Sequence, residues 1–461
     1  MAIAAFRRER IISFCGRKVE FLHRIARLHY YEPDYPVSHR YMEEENKQKI
    51  YLTNQVYGVS NEPVASYVER GEVDQEFKKG LGINKHVVVY GASKQGKTAL
   101  MHKNLNKSEY VKVECSPNTT PLDIYKSILR QLEVEFEQSK VSLGGPNSNL
   151  GRAETQTSGN TSTEIRYTKV DYNLALSQDI SEILRKVNFD KRIVLENFHY
   201  LAPETQSQLA FDLRVFEDQN IRFIILGIWR ERNRLPQFNG DLLDRLIEIP
   251  VEPWTYFDFK KVVQEGAEML NVDFTDIMED LIRSSFDSIG VLQELCKETC
   301  MAAGVRQTNP TTVTLTKEHL KKAVTKKLDD YSSRHIRSLE TFIEQHQKED
   351  LPLYIPYYFI RILLGLRFED ITKGINKRFM QDRIKEIHHS ADDVKPSDLN
   401  MFLHTIVERQ IATKILPPLF DYDRSTRNLK VIDSTFYFFL RNYDRVELVD
   451  ELDKPDGLYY R

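Results

Sequence analysis

The stretch that most constrains this chain is Val87-Val88-Val89-Tyr90-Gly91-Ala92-Ser93-Lys94-Gln95-Gly96-Lys97-Thr98-Ala99-Leu100. Three β-branched residues and a tyrosine read as a buried strand, and a helical pattern resumes at Lys97-Thr98. The spacing between them, G-x-x-x-x-G-K-T, is that of a phosphate-binding P-loop. Gly91 and Gly96 let the backbone curl so that successive N–H groups converge on a phosphate, and the new helix adds the positive end of its dipole. Gly91, Ala92, Ser93, Lys94, Gln95, Gly96, Lys97, Thr98 and Ala99 are therefore the predicted cradle for a nucleotide. Within it, Lys97 reaches the β- and γ-phosphates, and the Thr98 hydroxyl holds Mg²⁺. The competing reading, a chance glycine-rich turn, is disfavoured by the strand before the loop and the helix after it.

A second stretch, Arg192-Ile193-Val194-Leu195-Glu196-Asn197-Phe198-His199-Tyr200-Leu201, is an apolar strand that ends in an acid. Mg²⁺ needs a carboxylate at such a strand tip, beside the Thr98 hydroxyl, and Glu196 supplies it. Most P-loop ATPases of this layout place a glutamate next, to polarise the attacking water. Asn197 stands there instead, and an amide orients water without accepting its proton. Slow hydrolysis is the expectation, with nucleotide acting more as a switch than as fuel. His199 and Tyr200 read as packing residues.

Strands and helices alternate from 86 to 253. The fold class expected is α/β: a P-loop NTPase parallel sheet with ligand at the carboxyl ends of its strands, a helical lid, and a small α+β winged-helix-like domain. Further strands are read at Tyr110–Cys115, Ile221–Gly227 and the run into Pro250. Arg230 or Asn233, after the strand Ile221–Gly227, is a candidate γ-phosphate sensor, with a solvated loop as the alternative. Arg245, just before the last strand, is either an arginine finger for a neighbouring subunit or the partner of Glu248 or Asp241 in a local ion pair. Tyr67, Val68 and Arg70, ahead of the first strand, are candidates for covering the base.

A 41% hydrophobic content can build a real core over 461 residues, and a net charge of -3 gives no whole-chain argument for nucleic acid or membrane. The best apolar run, Leu353–Leu366, is too short to span a bilayer and carries Arg361. Four cysteines point to a reducing, cytoplasmic setting. Cys296 and Cys300 lie i,i+4 on one helix, but without His or Cys partners they read as core residues.

The expected organisation is an extension at 1–64 with an amphipathic helix near 11–28 and an irregular, polar and aromatic lead-in at 30–60, an ATPase core at 65–253 with a flexible polar insertion at 139–168, and a lid at 254–308. Connecting helices follow at 309–350, then a winged-helix-like domain at 351–450 and a tail at 451–461. In the connector, Lys321, Lys322, Lys326 and Lys327 either touch phosphates or form a solvated face. In the C-terminal domain, helix 397–412 and the segment carrying Arg424 and Arg427 would be the DNA-reading parts. The balanced charge there makes protein docking the leading alternative.

Gly91–Thr98, Leu195–Leu201 and Gly240-Asp241-Leu242-Leu243-Asp244-Arg245 together resemble the prokaryotic STAND-type ATPases, relatives of AAA+ and of the origin-recognition ATPases. The resemblance spans roughly residues 65–305 and the winged-helix-like tail. Glu196 replaces the usual Asp, Asn197 the usual acid, and the lid lacks an arginine at its third helix. The resemblance implies an ATP- and Mg²⁺-dependent signalling switch. Such a switch rests closed, exchanges to ATP when a trigger protein docks, forms a homo-oligomer and activates an effector, often in bacterial defence against phage. Because residues 1–60 are short for an enzymatic effector and the C-terminal domain shows no catalytic constellation, that effector is expected to be a separate protein or a nucleic-acid transaction. The alternative is a DNA-binding AAA+ factor that loads other proteins or serves transposition or replication.

Overall fold

A computed structural model describes residues 49–60, 63–134, 172–344, 353–452 and 454. The amphipathic stretch near 11–28, the polar insertion at 139–168 and most of the tail lie outside the described residues. From Ile50 onward the chain forms a single unit of contacts.

After α1 (Thr53–Val56) and α2 (Gly71–Gly82), β1 (His86–Gly91) enters the sheet, and α3 (Lys97–Asn104) follows it. Next come β2 (Tyr110–Glu114), α4 (Pro121–Gln131), α5 (Ser177–Lys186), β3 (Arg192–Glu196), α6 (Pro203–Asp218), β4 (Phe223–Ile228) and β5 (Leu246–Pro250). The five strands are all parallel, in the order β2-β3-β4-β1-β5. Alternation of side chains along a strand divides the core between the two faces. Val88 and Tyr90 point into a cluster with Ile124 of α4, Ile183 of α5 and Leu213 of α6. Val87 and Val89 point the other way, onto Phe77 of α2 and Leu100 and Met101 of α3. Continuous apolar runs in β1, β3 and β4 follow from burial on both faces.

The lid is α7 (Tyr256–Leu270), α8 (Met278–Ser284) and α9 (Ile289–Ala302), with the two-residue strands β6 (Val272–Asp273) and β7 (Val313–Thr314) paired beside them. Residues 50–58, expected as an irregular lead-in, are part of this lid. The Thr53 hydroxyl donates to the Val305 carbonyl at 3.0 Å, and the Tyr57 hydroxyl donates to the Val263 carbonyl at 2.5 Å. Gly266 is required there, because a Cβ would stand 2.3 Å from the Tyr57 ring. Cys296 and Cys300 are fully buried in α9, as expected of core residues.

The connector is one 28-residue helix, α10 (Lys317–Glu344), rather than two. Its first half packs Leu320 and Ala323 into the lid core, and its second half packs Leu339, Phe342 and Ile343 into the C-terminal core. The basic run is largely paired: Lys326 bonds Glu298 at 2.6 Å, and Lys327 bonds Glu294 at 3.2 Å and Asp330 at 2.9 Å.

The C-terminal part contains α11 (Ile355–Gly365), α12 (Phe368–Lys373), β8 (Ile375–Asn376), α13 (Lys377–Ile387), α14 (Pro396–His404) and α15 (Ile406–Ala412). Then come β9 (Phe420–Asp423), β10 (Asn428–Val431), α16 (Ser434–Asn442) and α17 (Arg445–Glu451). The three strands form an antiparallel sheet in the order β8-β10-β9. The single helix expected over 397–412 is two, broken at Thr405 (φ -105°, ψ 6°). The Gln410 amide fixes α15 against β9, donating to the Phe420 carbonyl and accepting from the Leu419 and Phe420 N–H groups.

Candidate nucleotide site

The loop between β1 and α3 curls as the glycine spacing requires. Gly91 (φ 153°), Lys94 (φ 57°) and Gly96 (φ 85°) all take positive φ, and Gly96 caps α3. A Cβ on Gly91 would stand 2.6 Å from the Val251 side chain. The loop opens onto a cavity of about 810 Å³ at the carboxyl edge of the sheet, lined among others by Gln95, Lys97, Thr98, Glu196 and Asn197.

Thr98 and Glu196, named from opposite ends of the motif pair, meet here. The Thr98 hydroxyl donates to Glu196 Oε1 at 2.7 Å, and Lys112 Nζ stands 3.1 Å from Glu196 Oε2. Among the described residues no group of three or more His, Cys, Asp or Glu could hold a metal unaided. One hydroxyl and one carboxylate suit Mg²⁺, which keeps waters and takes further oxygens from phosphates.

Lys97 is folded back on its own loop, donating to the Gly91 carbonyl at 3.1 Å and the Ala92 carbonyl at 2.6 Å. Burial lowers its pKa to about 8, against the pull of Glu252 and Glu196. Asn197 takes the left-handed conformation (φ 59°, ψ 33°), and its amide donates to Glu114 Oε2 at 3.2 Å. His199 lines the cavity with both ring nitrogens buried and unpartnered, and burial together with Lys97 holds it neutral.

Tyr67, Val68 and Arg70 line the same cavity. The Tyr67 hydroxyl donates to Asp74 at 2.7 Å. The Arg70 guanidinium lies 3.8 Å over the Trp254 ring and donates to the Val251 carbonyl at 2.7 Å. Of the two sensor candidates, Arg230 belongs to the site's network: it donates to Glu252 Oε1 at 2.8 Å, while the Ala92 N–H donates to Glu252 Oε2 at 2.7 Å. Asn233 is exposed, and its N–H is spent on Glu248. Arg245 is held on its own chain by Glu217 and by Asp218, the latter at 2.6 Å, so neither Glu248 nor Asp241 is its partner. It precedes β5 beside His86, at the amino edge of the sheet and away from the cradle.

Sequence reasoning missed the residues that press on the cradle from outside. The Gly290 N–H of the lid donates to the Lys94 carbonyl at 2.9 Å. From the C-terminal part, Ser434 donates its hydroxyl to the Ser93 carbonyl at 2.6 Å and its N–H to the Ser93 hydroxyl at 3.0 Å, while the Ser93 N–H donates to the Ile432 carbonyl at 2.9 Å. Buried Asp433 accepts from the Ser93 hydroxyl at 3.3 Å and pairs with Arg334 at 2.7 Å. Residues so far apart in sequence leave no local signal. Asp433-Ser434 reads locally only as a helix cap.

Residues 84–235 match the family model described as the AAA domain. The sheet and its loop are thus an AAA-type P-loop ATPase fold, the fold class expected from the sequence. No curated protein matches the chain. Among solved structures, the Walker-type ATPase PABY2304 of Pyrococcus abyssi is similar at 12% identity and a TM-score of 0.48, over 81% of this chain and 96% of that one. The ORC2 protein of Aeropyrum pernix in ADPNP–ADP complexes is similar at 15% identity and a TM-score of 0.43, over 86% and 95%. The ORC1 protein of Aeropyrum pernix in complex with DNA is similar at 14% identity and a TM-score of 0.38, over 83% and 95%. No helix among the described residues is long and apolar enough to cross a membrane.

Proposed function

We propose that this protein is a STAND-type regulatory ATPase whose C-terminal domain is docked on an AAA core and released when ATP replaces ADP. The observation that carries this reading is the grip of Ile432, Asp433 and Ser434 on Ser93, inside the loop that cradles phosphate. A ligand that reshapes that loop acts directly on the contact, which gives nucleotide a differential affinity for two arrangements. Two more contacts join the same parts: Arg230 lies 5.7 Å from the Tyr437 ring centre, and Arg234 is 3.8 Å from Asp421.

In this reading, Gly91–Ala99 bind the phosphates, Tyr67 and Val68 flank the base, and Thr98 and Glu196 hold Mg²⁺. When bound there, Mg²⁺ would supply charge neutralisation for the phosphates. Asn197 orients water, and cleavage is slow. The order of helices and small strands in the C-terminal part supports a winged-helix reading. Its DNA-reading helix would be α15, whose Glu408 faces Glu204 and Arg234 of the core. That packing favours protein docking over DNA in the docked form. Release would expose the surfaces for self-association and for a separate trigger or effector, as anti-phage signalling requires.

Adenine-nucleotide binding measured on Lys97→Ala tests the input. Loss of about 2 kcal/mol or more is expected from removing a charge-assisted phosphate contact. Unchanged affinity would remove the switch. Salt-dependent DNA shift assays test the loader alternative, which predicts steep loss of binding with salt.

A further inference from the structure

The strand tip that should carry a base carries Asn197, yet an acid stands beside it. β2 and β3 run parallel in a register that sets Glu114 next to Glu196. Glu114 lines the same cavity as Lys97 and Thr98. Its Oε2 accepts from the Asn197 amide at 3.2 Å, and its Oε1 lies 2.6 Å from Lys112 Nζ.

Three other proton acceptors in or beside the cavity are engaged or sealed. Glu196 is held by Thr98 and Lys112, and its oxygens suit the metal. Glu252 is held by Ala92 and Arg230. Both ring nitrogens of His199 are closed to water. Glu114 is 57% exposed, so water reaches it.

We propose that Glu114, carried by the neighbouring strand, is the water-activating base of this ATPase, and that Asn197 orients both it and the water. The Asn197 amide N–H₂ fixes Glu114, which leaves its Oδ1 to accept one water O–H. The second water O–H bond breaks as the water oxygen bonds to the γ-phosphorus. That proton passes to the Glu114 carboxylate. The bond from the γ-phosphorus to the β,γ-bridging oxygen breaks, and its electron pair stays on ADP. Glu114 then returns the proton to solvent. Lys112, paired with Glu114, must loosen its hold before the carboxylate can accept a proton, which accounts for a slow rate. This inference rests on the ATPase reading above.

The test is single-turnover cleavage of Mg²⁺-ATP by the full chain, with binding of a non-hydrolysable ATP analogue as a second readout. Glu114→Gln is expected to cleave about a hundredfold or more slowly, the scale of a lost general base. Its analogue affinity is expected to stay within about threefold of the parent, since Gln keeps the shape and makes no phosphate contact. Adding Asn197→Glu to Glu114→Gln returns an acid to the β3 tip and is expected to restore at least tenfold. Parent-like cleavage by Glu114→Gln, or a parent that leaves bound ATP intact, overturns the proposal. So does a double variant that binds the analogue but recovers no rate. Failure of the parent to bind the analogue would instead strike the ATPase reading itself.

Discussion

Lys97 shows how a single residue registers the state of the site. Its ammonium is satisfied by two carbonyls of its own loop, and burial has brought its pKa to about 8. A triphosphate stabilises the ammonium, so binding above that pH must take up a proton. Nucleotide affinity is therefore expected to be flat below about pH 7.5 and to fall by up to about tenfold per pH unit above pH 8. Titrations with a fluorescent ATP analogue between pH 7 and 9.5 check this, and a flat profile counts against it. Asp433 gives a second pH signature. Burial alone would raise its carboxyl, but Arg334, His335 and Thr435 hold it below the usual carboxylate range. A group whose folded pKa is depressed adds stability above its unfolded value, near 4, and loses it as pH falls through the folded one. Acid should thus weaken the docked arrangement, and Asp433→Asn should blunt that sensitivity in acid unfolding followed by circular dichroism.

Among the elements, the central strands and the loop were legible because their signals are local. Val87–Tyr90 and Ile193–Leu195 are continuous apolar runs that only a doubly covered strand explains, and the glycine spacing at 91 and 96 states the loop's shape. The pairing of Thr98 with Glu196 also followed, since the two motifs have a fixed geometric relation. Where tertiary contacts decide, the sequence was silent. Helix 397–412 carries an unbroken apolar stripe, yet Gln410 clamps its second half to β9 and Thr405 gives way. The Tyr51–Gly58 segment looked irregular because its partners, Val263 and Val305, lie more than 200 residues away. Asn197 suggested a missing acid, while a carboxylate that accepts from its amide sits on another strand and shows only through register. Gly290 belongs to the same group. A Cβ there would come 2.5 Å from Lys94 Cβ and 2.8 Å from the Lys94 carbonyl oxygen. Gly290→Ala is expected to push the lid off the loop at about 1–3 kcal/mol, read as a lower melting temperature and weaker nucleotide binding. Unaltered values of both would show that the lid is not seated on the cradle.

Across the whole molecule, α10 ties the lid core to the C-terminal core, and Arg334 on that helix holds Asp433 at the loop. The docked arrangement thus draws on this ion pair, with Asp433 buried and Arg334 partly exposed. Arg334→Ala leaves a buried carboxylate without its cation, at a cost of roughly 2–4 kcal/mol given that exposure. Faster release of ADP and a larger share of self-associated protein are the expected result in nucleotide-exchange and sedimentation experiments. Slower or unchanged exchange would mean that Asp433 does not restrain the loop. The most direct test is a distance between spin labels on exposed Lys126→Cys of α4 and Lys385→Cys of α13, in a Cys15→Ser background. One narrow distribution is expected with ADP. A longer or broader one is expected with Mg²⁺ and a non-hydrolysable ATP analogue, and it should be absent in Lys97→Ala. The same distribution in all three conditions would contradict release of the C-terminal part by ATP.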